Sequence, residues 1–149
     1  MNAEQARASL ASTFGVDVAA GVPMVVTVAP ARWEELARVA KETVGCRFFN
    51  FLTAVDWKEQ GLEVVARVDN LDDNVALMLK TKLGPGVTTC ASLTPVYQGA
   101  NWMERECFDM FGIHFDNPPD LRRILLEDTW EGHPLLKSYA VDTPHPPYR

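Results

Sequence analysis

The chain has 149 residues, 47% hydrophobic and 23% charged, with a formal net charge of −6 and a pI near 5.0. That is one domain's worth of an ordinary globular mixture, and its acidity excludes the basic face with which nucleic-acid binders displace counterions. The longest apolar run, around Val25, is far shorter than the roughly 20 residues of a spanning helix. The N-terminal MNAEQARASL lacks the basic-then-apolar pattern of a signal peptide. Cys46, Cys90 and Cys107 are odd in number and form no CxxC, which predicts a soluble chain of a reducing compartment without a disulfide, zinc or iron–sulfur framework.

Residues 3–14 have modest helical character, with Leu10 and Phe14 as buried positions and Gly15 as the stop. The apolar, β-branched run 22–28 predicts a buried strand. Pro30 stands where a helix start tolerates proline. Trp33, Leu36, Ala37, Ala40 and Val44 then recur at helical spacing, with Glu34, Glu35, Arg38 and Lys41 outside and Gly45 closing the helix.

Three strand candidates follow. Residues 47–57 are apolar on both alternating sets, as in a central strand covered on at least part of each face, with Trp57 in the core. Residues 62–70 set Leu62, Val64, Ala66 and Val68 against Glu63, Arg67 and Asp69, which predicts one wet face. Residues 75–83 alternate likewise, with Lys80 and Lys82 out, and the polar link 70–74 makes a hairpin. Gly84-Pro85-Gly86 turns the chain into a weaker strand over 87–93. The order predicts an α+β fold: one small domain, residues 1–115, with a mostly antiparallel sheet and two main helices.

The second main helix runs from Asn101 to Phe111 and stops at Gly112, with Asn101 and Glu104 spaced as a capping box. Met103, Cys107, Phe108, Met110 and Phe111 form its apolar arc. Arg105, Glu106 and Asp109 cluster opposite, with Arg105 and Asp109 as an i,i+4 pair.

Beyond it, residues 116–149 form a second unit, an extended C-terminal arm holding six of the ten prolines. Unstructured stretches of this length are functional or disordered. Leu121, Ile124, Leu125, Leu126, Trp130, Leu135, Leu136 and Tyr139 are too apolar for disorder. Ordering such a segment costs about 1–2 kcal/mol per residue, more than the small domain's own surface is expected to offset, so the arm is expected to dock on a partner.

No phosphate loop, dinucleotide fingerprint, HExxH, GxSxG or calcium-loop pattern occurs. Glu104, Glu106, Asp109 and His114 could form an acid–base or metal cluster, against which stand a cap for Glu104 and a charged helix face for Glu106 and Asp109. His133, Asp142 and His145 are a looser set among prolines. Adjacent Arg122 and Arg123 cannot both face the same way, so at least one should meet a carboxylate or carbonyl rim, preferably across an interface.

Three blocks in order carry a family signature. They are Asn101-Trp102-x-Glu104-Arg105-Glu106-x-x-Asp109-Met110-Phe111-Gly112-Ile113-x-Phe115, then Pro119-Asp120-Leu121-Arg122-Arg123-Ile124-Leu125-Leu126, then Trp130-Glu131-Gly132-His133-Pro134-Leu135. Over about residues 87–139 the chain resembles the 30 kDa subunit family of respiratory complex I, the C subunit of proton-translocating NADH-quinone oxidoreductase. It departs from the family's usual Gly-His-Pro at Asn117-Pro118-Pro119, and from its usual tail at Leu136, Ser138 and Ala140.

The resemblance implies a structural subunit of a peripheral arm, on the cytoplasmic face of the inner membrane and touching the membrane only through the complex. It implies no catalytic residues, cofactor or metal in this chain. FMN and iron–sulfur clusters would lie in other subunits, and quinone would be the acceptor. Implied partners are the D subunit, which forms the quinone site, and the adjacent iron–sulfur subunits. Candidate partner-facing residues are Arg105, Glu106, Asp109, Arg122, Arg123, Trp130, His133 and Tyr139. Related subunits of membrane-bound hydrogenases and ferredoxin-linked dehydrogenases share the signature, so the electron donor and quinone type stay open. A free-standing acid–base hydrolase using Glu104, Glu106 and His114 is the alternative from another class.

Overall fold

In the computed structural model of the protein, residues 1–116 and 120–142 are described. Asn117-Pro118-Pro119 and His145 lie outside them. Helix α1 (Ala3–Phe14) opens on a capping box between Asn2 and Gln5, buries Ala6, Leu10 and Phe14, and ends at left-handed Gly15. Strands β1 (Val18–Ala19) and β2 (Met24–Thr27) follow. A 3-10 turn at Pro30–Arg32 leads into α2 (Trp33–Glu42), which buries Trp33, Leu36, Ala37 and Ala40 and keeps its glutamates outside. Strands β3 (Phe48–Asp56), β4 (Leu62–Asn70) and β5 (Val75–Gly84) form a meander. Then come β6 (Thr89–Ala91), α3 (Ala100–Phe111) and β7 (His114–Asp116).

The main sheet has the order β1-β2-β5-β4-β3. Only the β2–β5 contact is parallel, so the fold is the expected α+β with a mostly antiparallel sheet. A small parallel pair, β6–β7, lies beside it. Val26, Leu52, Val64, Ala66, Val68, Leu77 and Leu79 share one core with Leu10, Trp33, Leu36, Leu93 and Ile113. Gly61 marks where β4 must begin: its φ is +92°, and a Cβ there would collide with the Gly84 carbonyl at the far end of β5.

Four expectations need correction. β3 is an edge strand, not a central one. Its apolar alternation reflects α3 packed along it, and the Leu52 N–H meets the Met103 sulfur at 3.0 Å. Trp57, just past its end, is 50% exposed rather than core. The outer face of β4 is not wet: Glu63 and Asp69 are buried, because β4 lies between two long strands and Lys80 and Lys82 stand opposite Val65 and Glu63. Asp69 accepts from Asn50 and Arg67. Finally, the modest helix read over 3–14 is a full one, and two very short strands, β1 and β7, add to the predicted elements. β7 straddles the 115/116 point at which the sequence places the start of the arm.

Candidate functional site

Helix α3 does not start at the predicted cap. Its first residue is Ala100, and Gly99 precedes it without a side-chain cap. Asn101 thus lies inside the helix, its Oδ1 buried and unbonded, and Glu104 is fully buried. The Glu104 carboxylate accepts from Ser92 Oγ at 2.7 Å and from the Leu93 N–H at 2.7 Å, with Thr94 Oγ1 at 3.5 Å. It therefore ties α3 to the loop after β6, a role with no local sequence pattern. Burial pushes its pKa up, and these hydrogen bonds offset only part of the rise because every donor is neutral.

Five residues on, Asp109 is also fully buried, but it faces the arm. Its carboxylate takes Arg123 Nη1 at 2.7 Å and three successive backbone N–H groups, Ile124 at 3.2, Leu125 at 2.8 and Leu126 at 2.9 Å. Burial alone would raise its pKa. The hydrogen bonds from Leu126, Arg123, Leu125 and Ile124 outweigh it and hold the group below the ordinary aspartate value. Arg105 is buried alongside and donates to the carbonyls of Arg122 (3.1 Å) and Arg123 (3.0 Å). The predicted Arg105–Asp109 pair is therefore replaced by two bonds to the arm.

The arm in turn completes the far end of α3. The last carbonyls of a helix lack internal partners. Here Asp109 O receives His133 Nδ1 at 2.9 Å, and Met110 O receives the Leu135 N–H at 3.0 Å. Left-handed Gly112 (φ +73°) brings the backbone against the His133 ring, where a Cβ would come within 2.8 Å of Cδ2. Lys137 N–H reaches Asp56 at 2.8 Å, closing the arm over the end of edge strand β3. Leu121 and Leu136 pack against the core. The domain thus offers the arm more of a seat than its composition suggested.

Of the eight predicted partner-facing residues, Arg105, Asp109, Arg123 and His133 converge on this clasp. Arg123 also donates to the Gly132 carbonyl. Arg122 is exposed and paired with Asp120, so the two arginines do diverge as the sequence implied. Trp130 and Tyr139 are half-buried and Glu106 is exposed. Trp102 is exposed as well, with the Arg105 guanidinium 5.3 Å from its ring centroid; its place in the signature block is the sequence feature that marks it.

The proposed acid–base cluster is not assembled. Glu104 faces the β6 loop, Asp109 faces the arm, and Glu106 and His114 are exposed. Among the described residues no three His, Cys, Asp or Glu side chains gather as a metal site. Cys46 and Cys90 are buried, which pushes both thiols up to about 12 and leaves them poor nucleophiles.

The fold is an α+β domain whose principal helix is locked to its own C-terminal arm. Residues 26–145 match the family described as the respiratory-chain NADH dehydrogenase 30 Kd subunit, and the chain belongs to that family. It is 41% identical over 122 residues to the NADH-quinone oxidoreductase C subunit of Rhodobacter capsulatus, covering 79% of this chain and 61% of that protein. It is 35% identical over 130 residues to the corresponding C subunit of Geobacter sulfurreducens, covering 85% and 80%. A trypsin-resistant fragment (1–134) of Nqo5 has a similar fold: TM-score 0.64, 22% identity, 79% of this chain and 95% of that one. So has a chain of the membrane-bound sulfane sulfur reductase, an archaeal respiratory membrane complex, at TM-score 0.66 and 20% identity over 86% and 75%.

Proposed function

We propose that the protein is a non-catalytic structural subunit of the peripheral arm of a proton-translocating NADH-quinone oxidoreductase. It packs against the subunit that forms the quinone site and supports electron transfer from NADH to quinone. The observation that carries this reading is the family match, which runs through α3 and the arm. The clasp agrees with it, because the carboxylates best placed for chemistry, Glu104 and Asp109, are engaged in holding structure. Flavin and iron–sulfur clusters belong, in this reading, to neighbouring subunits. No helix among the described residues is long and apolar enough to cross a membrane. In this reading the chain meets the cytoplasmic face of the inner membrane through its partners.

The clasp holds the arm's inner side, while Leu125, Leu135 and Val141 remain 60%, 48% and 88% exposed. Apolar groups so placed suit a second surface on the partner. Purifying the tagged chain from its native membrane tests the reading. Flavin and iron–sulfur subunits should accompany it. A hydrogenase large subunit in their place would redirect it to a hydrogenase-like or ferredoxin-driven assembly, and a chain emerging alone would refute it.

A further inference from the structure

On α1 and α2 every glutamate has an arginine of its own chain within 4.0 Å: Glu4 with Arg7, Glu34 and Glu42 with Arg38, Glu35 with Arg32. Glu106, the exposed carboxylate of α3, has none among the described residues. It lies four residues after Trp102, on the same helix face. Helical side chains lean toward the N-terminus, so the carboxylate is carried back over the turn that bears the indole. Trp102 is 62% exposed, although large apolar side chains usually find cover.

The ring is also held in place. The Arg105 guanidinium stands 5.3 Å from its centroid, and Arg105 is itself fixed by the Arg122 and Arg123 carbonyls. Arg105 turns Nε and Nη2 to those carbonyls, and no ion pair joins it to Glu106 among the described residues. An aromatic face beside an unpaired carboxylate is the chemistry that receives a cation, through the ring quadrupole and a charge-assisted hydrogen bond. Fixing the ring in advance lowers the ordering cost of binding. In a chain of net charge −6, complementary partners are basic.

We infer that Trp102 and Glu106 form a socket for one basic side chain, an arginine or lysine, presented by a neighbouring subunit. The inference rests on the assembly proposed above and names a contact within it.

The test replaces the native chain with tagged Trp102→Phe, Trp102→Leu, Glu106→Gln or Glu106→Lys, and measures how much of the neighbouring subunits each retains from detergent-solubilised membranes across a salt series. Melting of each free full-length chain is the control. All four should melt like wild type, since both positions are exposed. Trp102→Phe keeps a ring and should retain most of the binding. Trp102→Leu and Glu106→Gln should each weaken association about tenfold, and Glu106→Lys by more. The gap between wild type and Glu106→Gln should narrow as salt rises.

Equal retention by Trp102→Leu and Trp102→Phe would make the contact merely apolar and overturn the socket, as would normal assembly by Glu106→Lys. Self-association of the free chain with the same sensitivities would assign the socket to a second copy and overturn the proposed partner. If wild type itself emerges without neighbours, the assembly reading fails, and the socket fails with it.

Discussion

Asp109→Ala is the most informative single change. It removes an acceptor that binds one guanidinium and three backbone N–H groups of the arm. It also strands Arg123, whose side chain is only 13% exposed. Breaking a buried, hydrogen-bonded pair from one side costs about 3–5 kcal/mol. The loss has a ceiling, because the arm can lift off and rehydrate its N–H groups once release costs less than staying. The damage should therefore be local. Amides in 121–126 and 133–136 should exchange roughly a hundred- to a few thousand-fold faster, while β4 and β5 keep their protection. Because the folded-state pKa is depressed, the clasp's contribution is present above the unfolded value near 4 and is lost as pH falls through the folded value. Hydrogen exchange on wild type and variant at pH 7, with a second wild-type series toward pH 3, reads both effects. Unchanged exchange in 121–126 would refute the clasp as an energetic unit. Equal loss throughout the sheet would show that Asp109 supports the domain rather than the arm.

Glu104 should behave with the opposite sign. Its folded-state pKa is raised by burial, so stability falls as pH rises from the unfolded value, near 4.3, through the folded one. Glu104→Gln should flatten that slope and melt no lower than wild type at pH 7, as a calorimetric pH series would show. Arg105→Ala should loosen the arm by about 1–3 kcal/mol through the carbonyls it leaves without donors, seen as faster exchange around 122–124 with little change in the sheet. Gly112→Ala combines left-handed strain of about 1–2 kcal/mol with the approach to His133, and denaturant titration should record at least that loss. The purified, tag-free chain should carry neither iron nor zinc in stoichiometric amount by elemental analysis.

Much of this fold is legible in the sequence where periodicity is long and one-sided. The α2 stripe from Trp33 to Ala40 and the alternation from Val75 to Leu83 name their own buried faces. β1 and β7, two and three residues long, offer no period to read. β3 misleads because apolar residues on both alternating sets report what packs on its faces, not whether a strand pairs along each of its edges. The Asn101–Glu104 spacing satisfies the capping-box pattern, yet the helix begins at Ala100 and the glutamate finds its partners 11 and 12 residues upstream. The site was half visible. Apart from the Arg123 guanidinium on Asp109, the counterparts of Arg105 and Asp109 are main-chain atoms of Arg122 through Leu126, and backbone groups leave no trace in composition.

Because α3 grips the arm largely by its peptide groups, what residues 120–140 must supply is reach and a free N–H at the right places. Proline is therefore the replacement least tolerated at Ile124, Leu125, Leu126 and Leu135, since it removes the donor. Most other changes leave those bonds intact. Ser138 and Ala140, where the chain departs from its family's usual run, are both exposed and outside the grip. An attachment of this kind lets the outward residues of the arm drift to suit whatever surface they meet, while the path of the chain stays the same.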